Sequence, residues 1–345
     1  MFENTVISYS VLTILSTGKR SFENLGRLIN KSGDTIKRML NPAEISLTIM
    51  QKIAQTMFCD SKIIYLAVDD TLIKKIYSRF MVGSGWFFDT KTRRMINAYK
   101  LIAAMISDGK HTIPISCGFM FAQEVLSKTD HVQSKLDFIK LFFELTQKLF
   151  PNKKIIIIAD GLFSTKEILQ WCFREGINCE MRMHSNRVVN HNGRNLSLSM
   201  IKSLKLSGRR MARTINAMWH DIPLYITAEK RIDKHSNESI VYLVSTHKAK
   251  PSEHVKIYKK RWPIEKVFRT TKQYLGLQEC FSTKMQTQFD HICNVFLTYA
   301  LVQCEMKKKG FNTPEECIKA LKRKKYQNIL HRLSRLDQIF GDVYA

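Results

Sequence analysis

The sequence predicts an α/β fold in which helices flank a mixed sheet, with a helical N-terminal region and a β-rich insertion. Two continuous apolar runs of strand length, at 62–71 and 153–161, each end in acidic residues and are typical of strands buried on both faces. Between them an apolar stripe at helical spacing runs from about 131 to 149. The pattern changes at 185–250, where alternating strand-like stretches surround polar turns. Strands alternating with helices favour a sheet covered on both faces.

The net charge is strongly positive, since 55 Lys and Arg face 30 Asp and Glu and leave a formal charge of +25. Such a surplus favours polyanions, and neutralised phosphates release counterions, so nucleic acid is the expected partner. An anionic membrane is the rival. The chain shows no apolar run near the roughly 18 residues of a spanning helix and no basic, signal-like N-terminus. We therefore expect no membrane partner and a cytoplasmic location.

The cysteine pattern agrees with this location. The 8 cysteines include no C-x-x-C pair and no zinc-like spacing. Reduced, mostly buried thiols are the expectation in a reducing compartment.

Residues 1–60 are predicted to form a helical region, with a helix-turn-helix-like unit at 21–40. Apolar residues on both sides of the break NKSGD would pack two short helices together, and the break has turn and cap chemistry. The second helix would present Lys37 and Arg38 to solvent, as a DNA-reading helix does. The alternative is a plain helical hairpin that packs on its neighbours.

The following segments are assigned in order from their period and their turn signals. The strands, helices and insertion are strand 62–71, strand 98–106, strand 112–121, helix 131–149, strand 153–161, helix 164–175, strand 178–183, insertion 185–250, a helical stretch from about 253 and helix 286–307. The turn SDGK makes the second and third strands antiparallel neighbours. This order is the ribonuclease H-like arrangement, and we assign it to 61–308, with a basic helical tail at 309–345.

Three acids belong to the segments that this arrangement brings to one edge of the sheet. Asp70 and Asp160 lie where apolar strands emerge, the usual place for site residues in α/β sheets, and Glu265 lies on the last helix. Hard oxygen donors suit Mg²⁺ or Mn²⁺. Two ions about 4 Å apart can drive in-line displacement at phosphorus. The alternatives are helix capping by the aspartates and a surface ion pair of Glu265 with Arg261 or Arg269.

Glu265 is surrounded by positive charge, because 7 basic residues and one acid lie between Lys256 and Tyr274. A single acid that binds metal among bases that bind phosphate could meet a scissile bond without repelling DNA. At about 100° per residue, Tyr258, Arg261, Glu265 and Lys272 would share an arc of roughly 60°. Pro263 disfavours a continuous helix, so we expect the helix to begin near Trp262.

These residues resemble a known signature. The spacing Y-x2-R-x3-E-x6-K, filled by Tyr258, Arg261, Glu265 and Lys272, resembles that of bacterial insertion-sequence transposases of the DDE type. The DDT at 69–71 is similar to the first acidic motif of that family, and ADGLFSTKEIL resembles the second. The resemblance extends over about 60–308.

The resemblance implies an activity and roles for individual residues. It implies cleavage of the element's ends and strand transfer to target DNA, carried out by a homodimer on double-stranded DNA that includes the terminal inverted repeats. It implies that Asp70, the acid directly before Thr, binds metal with Asp160 and Glu265. A strand's alternation sends its neighbour Asp69 to the opposite face. Tyr258 and Lys272 would contact DNA, and Arg261, which belongs to the same DNA-binding set, would support Glu265 and the backbone near it. The enzyme would associate with the nucleoid when bound to DNA.

The predicted insertion and the rival functions leave alternatives open. Trp219 could stack on a displaced base, but a place in the insertion's own core is the more common arrangement for a Trp. A non-catalytic DNA-binding regulator, or a metal-dependent nuclease of the same fold, would share most of these features. Strand-transfer products would separate a transposase from a nuclease.

Overall fold

The computed structural model describes residues 6–76, 78, 80–122, 125, 134–233 and 236–323. The strands are β1 Ile63–Lys74, β2 Gly85–Asp89, β3 Arg94–Ser107, β4 Thr112–Met120, β5 Lys154–Ala159, β6 Asn178–Met183, β7 Val188–His191, β8 Arg194–Ser197, β9 Ala212–Trp219, β10 Ile222–Ile232 and β11 Glu238–Ser245. The α-helices are α1 Ser8–Leu15, α2 Phe22–Arg27, α3 Gly33–Arg38, α4 Ala43–Met57, α5 Lys135–Leu149, α6 Lys166–Arg174, α7 Pro251–Lys259, α8 Trp262–Tyr274, α9 Met285–Lys309 and α10 Pro314–Arg323.

The strands form one mixed sheet, which confirms the predicted fold class. β3 is antiparallel to β1 and to β4, whereas β5 is parallel to both β1 and β6. The order β4-β3-β1-β5-β6 places β1 and β5, the two strands with the predicted acids, side by side. The short β2 was not predicted, and it pairs with the half of β3 that β4 leaves open.

The segment 185–250, predicted as a β-rich insertion, contains β7 to β11. These strands continue the same sheet, because β11 is antiparallel to β6 and the order then runs β10, β9, β7, β8. The segment therefore extends the edge of the sheet next to β6 and leads directly into α7.

Apolar side chains cover both faces of the sheet. The larger core joins β1, β3 and β5 to α5, α9 and the N-terminal helices α1 and α4. A smaller cluster on the opposite face packs β5 and β11 under α7, through Ile156, Ile158, Ile257 and Tyr258 among others. The isoleucine-rich strands are thus buried from both sides, as continuous apolar runs predict.

The N-terminal region packs against α9. The Tyr9 hydroxyl lies 2.8 Å from His291 Nδ1, and the Asn294 side chain donates to the Asn41 carbonyl at 2.8 Å. Within this region α2 and α3 are the two short helices predicted at 21–40, and the side chain of Ser32 caps α3 by accepting from Thr35 N. Because α1 and α4 share the main core, these helices and the sheet are one packed unit.

Several predicted boundaries shift or fall outside the described residues. β1 continues past its two acids to Lys74, whereas the sequence predicted an end there. Residues 131–133 of the predicted helix, and the tail from 324 to 345, lie outside the described residues. The cysteines are free thiols. Within the described ranges, no helix is both long and apolar enough to cross a bilayer.

Candidate active site

The pairing of β1 with β5 brings two acids side by side. These strands are parallel, with Ala67 opposite Ile158 and Val68 opposite Ala159. The next step in this register places Asp69 beside Asp160, which directly follows β5. Both carboxylates line a cleft at the ends of the strands, where α/β sheets commonly hold their site residues.

Successive strand residues point to opposite faces, so Asp69 and Asp70 have different partners. Asp69 belongs to the face that carries Tyr65, which packs in the cluster beneath α7. Its Oδ2 accepts from Arg261 Nη1 at 3.2 Å. Asp70 lies opposite Ile102, and its Oδ2 is 3.1 Å from Lys100 Nζ. The structure therefore brings Asp69, and not Asp70, into contact with the arginine of the signature.

Arg261 links Asp69 to the third acid. It lies between α7 and α8, and its Nη2 donates to Glu265 Oε1 one turn into α8. The side chain of Arg261 is 12% exposed, whereas that of Glu265 is 40% exposed and faces the cleft. One guanidinium thus joins carboxylates that are far apart in sequence. We call Asp69, Asp160, Glu265 and Arg261 the acid cleft.

Burial makes the two aspartates of the acid cleft resist ionisation. Burial and the negative charge of Asp160 raise the pKa of the Asp69 carboxyl to about 7. Burial also raises the pKa of Asp160, and the charge of Asp70 adds to this effect. Side-by-side carboxyls that resist full ionisation are a donor set that a divalent cation would stabilise in the charged form. The residues present fit Mg²⁺ or Mn²⁺.

The two other signature residues, Tyr258 and Lys272, pack against or bond to other parts of the protein. Tyr258 is 4% exposed, and the Arg261 guanidinium lies 5.6 Å from its ring centroid. Lys272 Nζ donates to Thr71 Oγ1 at 2.6 Å and to the Leu72 carbonyl at 3.0 Å. In this structure both residues anchor the two helices to the sheet, and both also line the cleft.

The sequence analysis missed two residues beside the acids. Lys135, at the start of α5, donates to the Leu162 carbonyl at 2.8 Å. Burial lowers the pKa of Lys135, and the charges of Asp70, Asp160 and Asp69 oppose that shift. Trp262 is 54% exposed and lines the cleft. Trp262 begins α8 directly after three basic residues and before Pro263. That position is the sequence feature that could have identified Trp262 as a site residue.

The remaining predicted residues lie elsewhere. Trp219 is 4% exposed and packs in the main core, with the Arg187 guanidinium 5.8 Å from its ring centroid. Lys37 and Arg38 are on α3 and line a separate surface depression with Asp290 of α9. These residues are not brought to the acid cleft.

One protein-family model and one solved structure are similar to this chain. The model of a protein family described as "Transposase DDE domain" matches residues 66–301. A solved structure, described as "Crystal structure of the Mos1 Strand Transfer Complex", is similar at 9% identity and a TM-score of 0.19. That similarity covers 52% of this chain and 58% of the other. No curated protein matches the sequence.

Proposed function

The chain belongs to the transposase DDE domain family, and from this premise we propose that it is the transposase of a bacterial insertion sequence. It cleaves the ends of its element and joins them to target DNA by metal-dependent phosphoryl transfer. Its substrates are double-stranded terminal inverted repeats and target DNA, and it acts as a homodimer in the cytoplasm, on the nucleoid when bound to DNA.

One observation carries the proposal. Carboxylates from β1, from the end of β5 and from α8 converge on a single cleft, and one arginine bonds two of them. A surface ion pair would not need acids from three separate elements. Convergence of hard oxygen donors beside basic side chains is what metal-dependent chemistry on a phosphodiester requires.

Each residue of the acid cleft has a defined task. Asp69, Asp160 and Glu265 would hold one or two Mg²⁺ or Mn²⁺ ions. Bound ions supply activation of the attacking oxygen and stabilisation of the leaving oxygen. Arg261 orients Glu265 and keeps α8 against β1. Lys135 and Trp262 line the approach to the acids, where a phosphate and a base could bind.

Asp69 is our choice for the first acid, although the resemblance to the family motif points to Asp70. Two contacts support Asp69: its place beside Asp160 in the strand register and its bond to Arg261. Besides burial, the charge of Asp160 also raises the pKa of Asp69. Asp70 lines the same cleft, and its charge acts on the pKa of Asp160. Asp70 is neutralised by Lys100 instead. Because successive side chains alternate along a strand, only one of the two aspartates lies on the face that Arg261 contacts.

DNA binding is proposed for two surfaces. The acid cleft would receive the scissile strand, and the predicted helix-turn-helix at 21–40, with Lys37 and Arg38, would bind duplex DNA elsewhere. Arg38 is exposed and Lys37 half-buried on α3. The contacts of Tyr258 and Lys272 support a role in anchoring their helices to the sheet. Contact with DNA would be a second role of the same residues.

The test uses full-length protein and a duplex that contains the DNA flanking its own gene, with Mg²⁺, Mn²⁺ or EDTA. We expect 3′-hydroxyl ends and joined products from the wild type with metal, and neither product from Glu265→Gln, which keeps its DNA affinity. Glu253→Gln, an exposed acid on α7, is the matched control and should cut normally. Cleavage without joining would identify a nuclease. Binding without cleavage under any metal would identify a regulator, and a cutting Glu265→Gln variant would remove Glu265 from the mechanism.

A further inference from the structure

A second group of ionisable side chains lies on the strand next to the acid cleft. Glu180 is in the middle of β6, His247 follows β11, and His254 is in α7. Glu180 and His254 are 0% exposed, and one potential ligand atom from each of the three residues lies within 4.8 Å of the others. We call these three residues the Glu–His cluster.

The internal hydrogen bonds of the Glu–His cluster leave it incomplete. Glu180 Oε2 lies 2.8 Å from His254 Nδ1, which uses one polar atom of each side chain. Glu180 Oε1 and His254 Nε2 are both buried and have no hydrogen-bond partner among the described residues. Each such atom normally costs about 1–3 kcal/mol when it is left unpaired. Two orphaned atoms in one cluster indicate a missing ligand.

The third residue has a free ligand atom as well. His247 Nδ1 lies 2.8 Å from Ser245 Oγ, which fixes the ring and leaves Nε2 for another partner. The ring centroids of His247 and His254 are 5.4 Å apart. His247 is half-buried, so an ion could enter from its side. A hydrogen-bonded second nitrogen is the usual way in which proteins orient a metal-binding histidine.

Charge supports a cation at this place. Burial raises the pKa of Glu180 well above its usual range, and a hydrogen bond with Ser245 offsets this only in part. Burial lowers the pKa of His254, and it lowers that of His247 to about 4. Neutral imidazole is the form that binds metal. The geometry carries the inference, because the three side chains present their ligand atoms within 4.8 Å of one another.

The donors decide the class of ion. Mg²⁺ prefers oxygen ligands and retains water, whereas two imidazole nitrogens and one carboxylate oxygen suit Zn²⁺. Zinc commonly takes this donor set with a fourth, exchangeable position. We propose that Glu180, His247 and His254 bind a zinc-class divalent cation that fixes α7 to β6, separately from the ions of the acid cleft.

The location gives this ion a consequence for the acid cleft. His254 precedes Tyr258 by one helical turn on α7, and α7 leads within two residues to α8 and Glu265. Glu180 pairs with Ile158 of β5, two residues before Asp160. An ion bound by Glu180 and His254 would clamp the helix pair to β6, which pairs with the strand that positions Asp160. Residues of the Glu–His cluster are thus positioning residues for the acids.

The experiment separates the two metal sites. Asp69→Asn, Asp160→Asn and Glu265→Gln are combined in one full-length background, so that ions at the acid cleft are not counted. After treatment with EDTA and dialysis, Co²⁺ and Zn²⁺ are titrated, with metal content and the visible spectrum of Co²⁺ as readouts. We expect about one ion per chain and the strong visible bands of a four-coordinate site.

Single changes in that background identify the ligands. Glu180→Gln and His247→Ala should each weaken Zn²⁺ binding by at least about tenfold, since changes in groups that merely support ligands can cost 10–100-fold. His220→Asn removes an exposed imidazole outside the cluster and should bind normally. His247 is half-buried, so His247→Ala should fold even if Glu180→Gln does not; circular dichroism checks both. No bound ion in the background, or unchanged binding in His247→Ala, overturns the proposal.

Discussion

The acid cleft and the Glu–His cluster lie on neighbouring strands, yet they are built in opposite ways. The acid cleft opens to solvent, and Arg261 forms ion pairs with Asp69 and Glu265. In the Glu–His cluster two of the three residues are fully buried, and two polar atoms have no hydrogen-bond partner in the described part of the chain. An open site with an internal counter-ion can exchange its ligands during a reaction. A largely buried site with such unpaired atoms is suited to a ligand that stays.

The largest expected contrast comes from neutralising one acid in each group. Asp160→Asn should reduce DNA cleavage by about 10³-fold or more, because a metal-bound centre supplies several kcal/mol to the reaction. The same change should leave the protein's melting temperature unchanged or slightly raised, since it removes repulsion with Asp69. Glu180→Gln should retain more cleavage activity and lose thermal stabilisation by Zn²⁺. Equal losses of cleavage in both variants would contradict the distinction between the two groups.

Removing the internal counter-ion tests whether the acid cleft depends on it. Arg261→Met leaves three carboxyls near one another without their cation and should lower the free energy of unfolding by about 3 kcal/mol. Arg261→Lys keeps the charge but not the two-pronged geometry, so its loss should be smaller. Denaturant unfolding measures both variants. Arg269→Met, an exposed arginine on the same helix, should change stability by less than about 0.5 kcal/mol; a similar loss there would remove the special role of Arg261.

Much of the architecture could be predicted because its signals are local. The apolar runs of β1 and β5, and the start of α8 at Trp262 after the constraint from Pro263, are confirmed. The short β2 was missed because it is stabilised by pairing with the open half of β3. The local sequence of β2 does not show that part of β3 is free to pair with it.

The details of the two sites depend on register and long-range pairing. The difference between Asp69 and Asp70 is one step along a strand, and such a step changes the face on which a side chain lies. Glu180, His247 and His254 lack metal-ligand spacing in sequence, and they meet only because β11 pairs with β6 and α7 packs over both. Burial of Tyr258 and Lys272 likewise follows from how the helices dock, which the signature spacing does not specify.

Lys272 gives a pH-dependent test of how tightly α8 is held on β1. Burial lowers the pKa of Lys272 to about 8, below its ordinary 10.5. Between these values the unfolded chain binds more protons, so the wild-type free energy of unfolding should rise with pH, by at most about 3 kcal/mol. Lys272→Arg stays charged and should lack this rise. Parallel pH profiles for the two proteins would mean that Lys272 is not held in the buried position.

The smallest expected effect concerns the second DNA surface. If α3 binds duplex DNA, the double change Lys37→Ala and Arg38→Ala should lower the slope of log affinity against log salt by about one per residue. Lys148→Ala, at the end of α5 remote from Lys135, is the matched control and should leave the slope unchanged. Binding measured across a range of salt concentrations distinguishes them. An unchanged slope in the double variant would support the alternative of a plain helical hairpin.

The most direct test of the central claim compares Asp69→Asn with Asp70→Asn in the Mg²⁺-dependent cleavage of element-end DNA. The two changes are chemically identical and one residue apart, and DNA affinity measured in EDTA serves as the control for folding and binding. We predict that Asp69→Asn abolishes cleavage, whereas Asp70→Asn retains most of it because Asp70 is paired with Lys100. Loss of cleavage in Asp70→Asn together with an active Asp69→Asn would contradict the account and return the first acid to the position that the motif indicates.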